Sequence, residues 1–152
     1  MTQNSKYAGN VVMLRGACLW IIMALLLAWS LVGLYNNIDI FKTIFPGSPR
    51  RVLQAHLDFL IMSALILGFY AAKVSLSWHV RWAMVIGAFT NSSLFLMYAL
   101  VPSLDPLHDT FNPIGMAPSI FNIYLYTSLL MTSYGFGKAA VLIFKSTFNE
   151  HN

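Results

Sequence analysis

Residues 46–72, PGSPRRVLQAHLDFLIMSALILGFYAA, decide how this chain is read. Two prolines and a glycine make a rigid turn and two arginines follow it. From Ala55 the chain is apolar to Ala72, with His56 and Asp58 as its only groups that carry or accept charge near neutral pH. A hydrocarbon layer about 30 Å thick needs about 20 residues of helix rising about 1.5 Å each, and this run is close to that length. Working outward, the pattern recurs three times: over 16–35 without a charge, over 82–101, and over 118–144 with Lys138 alone inside it. The expectation is an all-α, polytopic membrane protein, a four-transmembrane-helix bundle forming a single membrane domain over 1–152.

Composition points the same way, since 58% hydrophobic and 9% charged residues cannot coat a water-soluble core. The net charge of +4 therefore bears on membranes before nucleic acids. Lys and Arg stand singly at run ends, apart from Arg50-Arg51, and no basic face with interleaved aromatics appears, so no nucleic-acid partner is expected. Cys18, the only cysteine, reads as a small core residue and excludes an intrachain disulfide or CxxC site. The first run is longer than a signal-peptide core and has no small-x-small site after it, so it is expected to stay as a span.

In a four-span bundle the termini and the middle loop share one side. That side carries six basic residues, Lys6, Arg15, Lys73, Arg81, Lys138 and Lys145, against three, Lys42, Arg50 and Arg51, on the other. Positive charge prefers the cytoplasm, which places both termini inside. Tyr7, Tyr35, Trp78, Trp82 and Phe111 fall near run ends, where amphipathic rings favour headgroups. Gly16, Gly33, Gly68, Gly87, Gly135 and Gly137 read as close-contact positions between helices.

Chemistry must come from polar residues that lipid penalises. His56, at the start of the second run, shares a face with Phe59, Leu60 and Ser63; it reads either as a ligand for haem iron or another metal, or as an interfacial, hydrogen-bonded residue. Asp58 is about 200° away on a helix, and pairing with a basic residue at the interface is the simpler reading. Asn91 and Tyr98 lie two turns apart with Phe95 between, a pattern that either orients a small ligand's oxygen or serves helix packing and the interface. Asn122, Tyr126 and Ser133 form a similar stripe expected to face the interior, while Lys138 can snorkel. His79, His108 and His151 fall in loops or the tail, and Ser-His-Asp, phosphate-cradling and HExxH patterns are absent.

The stretch Pro46-Gly47-Ser48-Pro49, with Ala55-His56 six residues on, resembles bacterial styrene oxide isomerase, a small four-span membrane enzyme. Thr110-Phe111-x-Pro113 followed by Pro118 is similar as well, and from Arg81 through that loop the patterns run without a gap, setting Tyr98 on the family's active-site tyrosine. The likeness implies a homotrimer in a bacterial cytoplasmic membrane, binding haem b with His56 as axial ligand. It also implies ferric haem acting as a Lewis acid on a small aryl epoxide, whose benzylic C–O bond opens and whose 1,2-hydride shift gives an aldehyde without net redox change.

Three positions depart from that pattern. Met62 stands where the family has a substrate-holding asparagine, and Leu94 falls on the family's third-helix asparagine unless a gap of three moves it to Asn91. The Ala-His-Leu-acid run ending at Asp58 is closer to hydroxylaminobenzene mutase. The resulting expectation is a haem-dependent isomerase with His56 as ligand and Tyr98 and Asn91 orienting the epoxide oxygen. Rival expectations are a mutase acting on an aromatic hydroxylamine and a haem-binding protein without catalysis.

Overall fold

The computed structural model describes residues 10–149; Lys6, Tyr7 and His151 lie outside the described residues. Among those residues the chain is all-α. Helix α1 covers Val11–Tyr35, a short α2 covers Asp39–Ile44, α3 covers Pro49–Ala71 and α4 covers Trp78–Leu100. A 3-10 turn, Pro102–Leu104, precedes α5, Met116–Asn149. Helices α1, α3, α4 and α5 are each long and apolar enough to cross a membrane, which makes this a multi-pass membrane protein. The upper end of the bundle carries the first and third loops, and the lower end carries the second loop, the start of α1 and the end of α5.

Each long helix outruns its apolar run, because hydrogen bonding continues past the hydrocarbon edge as long as the flanks can form helix. The largest shift is in α3, which starts at Pro49 and not near Ala55. Pro49 suits the first helical position because its missing N–H has no partner there to lose, and the Ser48 hydroxyl caps the turn by accepting from Arg50 N–H at 3.3 Å. His56 is therefore not at a helix mouth. It sits about 10 Å inside α3, at seven residues of rise.

Helices α1, α3 and α4 pack on one another, and α5 lies against the far side of α4. Toward the upper end Ala24, Leu31, Val52, Ala55, Phe59 and Ala99 close the core. Toward the lower end Met13, Ala17, Ile66, Val80, Met84 and Ala139 do so. Trp20 ties α1 to α4 by donating from Nε1 to the Val85 carbonyl at 3.1 Å. Tyr35, Trp78, Trp82 and Phe111 are exposed, as rings at a lipid boundary should be.

Three sequence expectations need correction. Asn122, Tyr126 and Ser133 face outward; Phe121, Ser128, Gly135 and Ala139 form the buried stripe of α5, since small residues and not the most polar ones let that helix reach α4. Gly68 and Gly137 meet nothing within 4 Å and are not contact positions, whereas Gly16, Gly87 and Gly135 are. Cys18 is exposed on the outer face of α1 and is not part of the core.

Candidate functional site

His56 projects from α3 toward α1, half-buried, and its Nδ1 lies 2.8 Å from the Ala24 carbonyl oxygen. A carbonyl can only accept, so Nδ1 is the donor, and in the neutral tautomer that donates there the lone pair lies on Nε2. This is how ligating histidines are commonly held: the second ring nitrogen donates to a carbonyl, which fixes the tautomer and the ring plane. Close by in the chain, Phe59 joins Trp20 and Phe89 in a cluster of rings with centroids between 4.8 and 6.2 Å apart. That cluster lies between α1, α3 and α4.

Asn91 and Tyr98 share one face of α4, and each meets a polar residue of α3 in the same antiparallel register. Asn91 Nδ2 donates to Asp58 Oδ2 at 3.0 Å. Asp58 thus takes an amide from the neighbouring helix as its partner, and not the interfacial basic residue expected from sequence. Two turns higher, the Arg51 guanidinium lies over the Tyr98 ring, 4.9 Å from its centroid. The positions 51 and 58 on α3, and 98 and 91 on α4, are both seven apart, so the two contacts are rungs of one ladder.

Sequence reasoning missed what holds the upper rung. Arg51 forms a buried, two-pronged ion pair with Asp105, Nε donating to Oδ2 at 2.6 Å and Nη2 donating to Oδ1. Its Nη1 donates to Gln54 Oε1 at 2.8 Å. The Arg51 hydrogen bonds hold the Asp105 carboxyl below the usual carboxylate range; burial opposes them and the Leu107 N–H assists them. Gly47 completes the clamp by donating to the Ala99 carbonyl at 2.9 Å, and a Cβ there would come within 2.7 Å of the Tyr98 carbonyl oxygen. The PGSP turn, Arg51 and Asp105 together fasten the first and third loops over the end of α4. The Arg50-Arg51 doublet was the available signal, but its partner lies 54 residues away.

Tyr98 also packs on Phe121 of α5, with centroids 5.0 Å apart, and lines a cavity of about 90 Å³ with Phe111, Phe121 and Asn122. A second, apolar groove of about 280 Å³ lies lower, between Gly68 on α3 and Ile143 on α5. Neither includes His56 or Asn91, so the three candidate residues are not gathered in one of these cavities. Of the other histidines, His79 Nδ1 bonds the Tyr134 hydroxyl at 2.8 Å at the lower end, and His108 Nδ1 bonds Thr110 Oγ1 at 2.8 Å within its own loop.

The donor set suits haem. Among the described residues no group of three or more His, Cys, Asp or Glu side chains converges, so His56 offers a single protein donor. A porphyrin brings its own equatorial nitrogens and asks the protein for an axial imidazole and an apolar wall. The chain matches no family model, no curated protein and no solved structure.

Proposed function

We propose that this chain is a membrane isomerase that holds haem b through His56 Nε2 and rearranges a small aryl epoxide to an aldehyde. The carrying observation is the His56 Nδ1 to Ala24 carbonyl bond, which sets the tautomer a ligand needs. Bound ferric haem would supply Lewis acidity, polarising a C–O bond without net redox change. Because His56 faces α1 and the Asn91–Tyr98 face lies across α3 from it, these two residues would come from a neighbouring copy of the homotrimer. Tyr98 would donate its hydroxyl proton to the oxygen as negative charge develops, and Asn91 would offer the amide N–H that Asp58 leaves over. The Trp20, Phe59 and Phe89 rings would keep water from trapping a carbocation as a diol. In the proposed homotrimer, neighbouring copies would cover the half-exposed side of His56.

The same reading sets the protein in a bacterial cytoplasmic membrane with both termini inside, supported by six basic residues on that side against three. Cysteine probes at positions 43 and 107 should label from outside and one at 76 should not; the reverse pattern overturns the orientation. A second reading, rearrangement of an aromatic hydroxylamine, is favoured by one observation: a carboxyl group at membrane depth, bonded to Asn91, can accept a hydrogen bond from an N–OH group.

The test uses the detergent-purified protein. A Soret band should appear and should vanish or shift in His56→Ala; haem retained with an unchanged spectrum removes the ligand assignment. The ferric protein should then convert aryl epoxides to aldehydes with no reductant, oxygen or nicotinamide, and dithionite should slow it. Aminophenols from aryl hydroxylamines would support the mutase reading, and no turnover of either substrate would leave a non-catalytic haem protein. Tyr98→Phe should keep haem and lose about a hundredfold to a thousandfold in turnover, the range for one donor to a developing oxyanion.

A further inference from the structure

Asp58 is the only carboxylate within the four spans, nine residues past the start of α3. Among the described residues the ion pairs are Lys42 with Asp39 and Arg51 with Asp105, and Asp58 belongs to neither. A charge-bearing side chain at this depth is costly and ordinarily serves a function. Its partner is the Asn91 amide at 3.0 Å.

We infer that Asp58 is a positioning residue, fixing which edge of the Asn91 amide is offered to substrate. The chemistry of the pair is one-sided. Asp58 Oδ2 accepts in this bond, so it selects the NH2 end of the amide and turns the carbonyl oxygen away. One N–H of Asn91 is consumed, and the second is held at a fixed angle to it. Without Asp58 the terminal torsion of an asparagine is broad and roughly two-fold, and both edges become available. One rung higher the Arg51 guanidinium lies over the Tyr98 ring, so α3 supplies a separate polar partner for each of the two groups of α4. This inference rests on the proposed role of Asn91.

The experiment compares Asp58→Leu, Asp58→Asn, Asn91→Leu and the double variant Asp58→Leu with Asn91→Leu, all as full-length haem-loaded protein. Asp58→Leu should lower kcat by about tenfold to a hundredfold, the usual loss when a supporting partner is removed, while KM and the Soret band stay near wild type. Asp58→Asn, which still presents an oxygen acceptor, should recover most of the loss. The double variant should be no worse than Asn91→Leu alone, because the two residues act as one unit. Additive losses, an Asp58→Leu enzyme equal to wild type, or an Asp58→Asn enzyme as damaged as Asp58→Leu would overturn the inference. Infrared difference spectra keep this separate from the proposed activity. The carboxyl band that disappears in Asp58→Leu should shift in Asn91→Leu even if wild type turns over no substrate, and an unshifted band overturns the inference on its own.

Discussion

The two seams that flank α4 are built on opposite principles. Toward α5 the helices meet at backbone level. A Cβ on Gly87 would lie 2.9 Å from the Thr132 Cα, and one on Gly135 would lie 2.7 Å from the Met84 nitrogen. The hydroxyls in that seam act locally, with Thr132 donating to the Gly87 carbonyl at 2.9 Å and Ser93 sharing a 2.6 Å bond with Tyr124. Toward α3 the apolar core is flanked by long or charged side chains, Arg51 with Asp105 over Tyr98 and Asp58 with Asn91. In lipid there is no hydrophobic drive to bring helices together, so close packing of small residues is the economical way to join them. A seam that instead carries charge costs stability unless its geometry is fully satisfied. The small-residue seam is thus a steric joint, and the charged one is held by paired polar side chains.

The largest expected effect separates the two seams directly. Arg51→Ala leaves Asp105 buried without a counter-charge, and breaking such a pair from one side costs about 3–5 kcal/mol. Thermal unfolding in detergent should show it, and replacing both partners with leucine should recover much of it. The pH dependence has a definite sign. Because Arg51 depresses the Asp105 carboxyl, its contribution is fully present above the ordinary carboxylate value of about 4 and is lost as pH falls through the lowered folded value. Wild type should therefore hold its stability from neutral pH down to about 4 and lose it below, and Asp105→Asn should remove that acid-sensitive part. An Arg51→Ala protein as stable as wild type would show that the clamp is ornamental.

A smaller loss is expected at the structural joint. Gly135→Val forces the backbones of α4 and α5 apart and should cost about 1–3 kcal/mol, as overpacking does. Gly137→Val, on the open side of the same helix, serves as the control and should change little. Equal losses at the two positions would mean that the added β-branched side chain, and not the contact, sets the cost.

How far the sequence reveals this arrangement depends on the range of each interaction. The four spans are legible because hydrophobic run length is a local property, whereas their ends are set by flanks such as Ser48-Pro49, whose capping chemistry was there to be used. His56 is legible as a polar intrusion. The Ala24 carbonyl that orients it is not, since a backbone acceptor has no sequence signature. Asp58 and Asn91 each stand out, but their pairing depends on the antiparallel register of α3 and α4, 33 residues apart. On α5 polarity does not mark the interior. Tyr126 is exposed while Ser128 is buried, and in a membrane the small residue is the better guide.

The smallest effect tests whether the α4–α5 seam depends on contact geometry alone. Ser92 of α4 and Ser128 in the buried stripe of α5 are almost fully buried, and neither hydroxyl makes a hydrogen bond with the protein. Ser63 on α3 shows the usual alternative, returning its Oγ to the Phe59 carbonyl at 2.7 Å. A buried hydroxyl without a partner carries a desolvation penalty that an alanine does not, and the volume change is slight. Ser128→Ala should therefore leave stability unchanged or raise it by up to about 1 kcal/mol, whereas Ser63→Ala should lower it by a similar amount. If Ser128→Ala destabilised the protein as much as Ser63→Ala, the hydroxyl would have a partner in the membrane. The seam would then be polar as well as steric, and the contrast with the α3 side would narrow to one of charge.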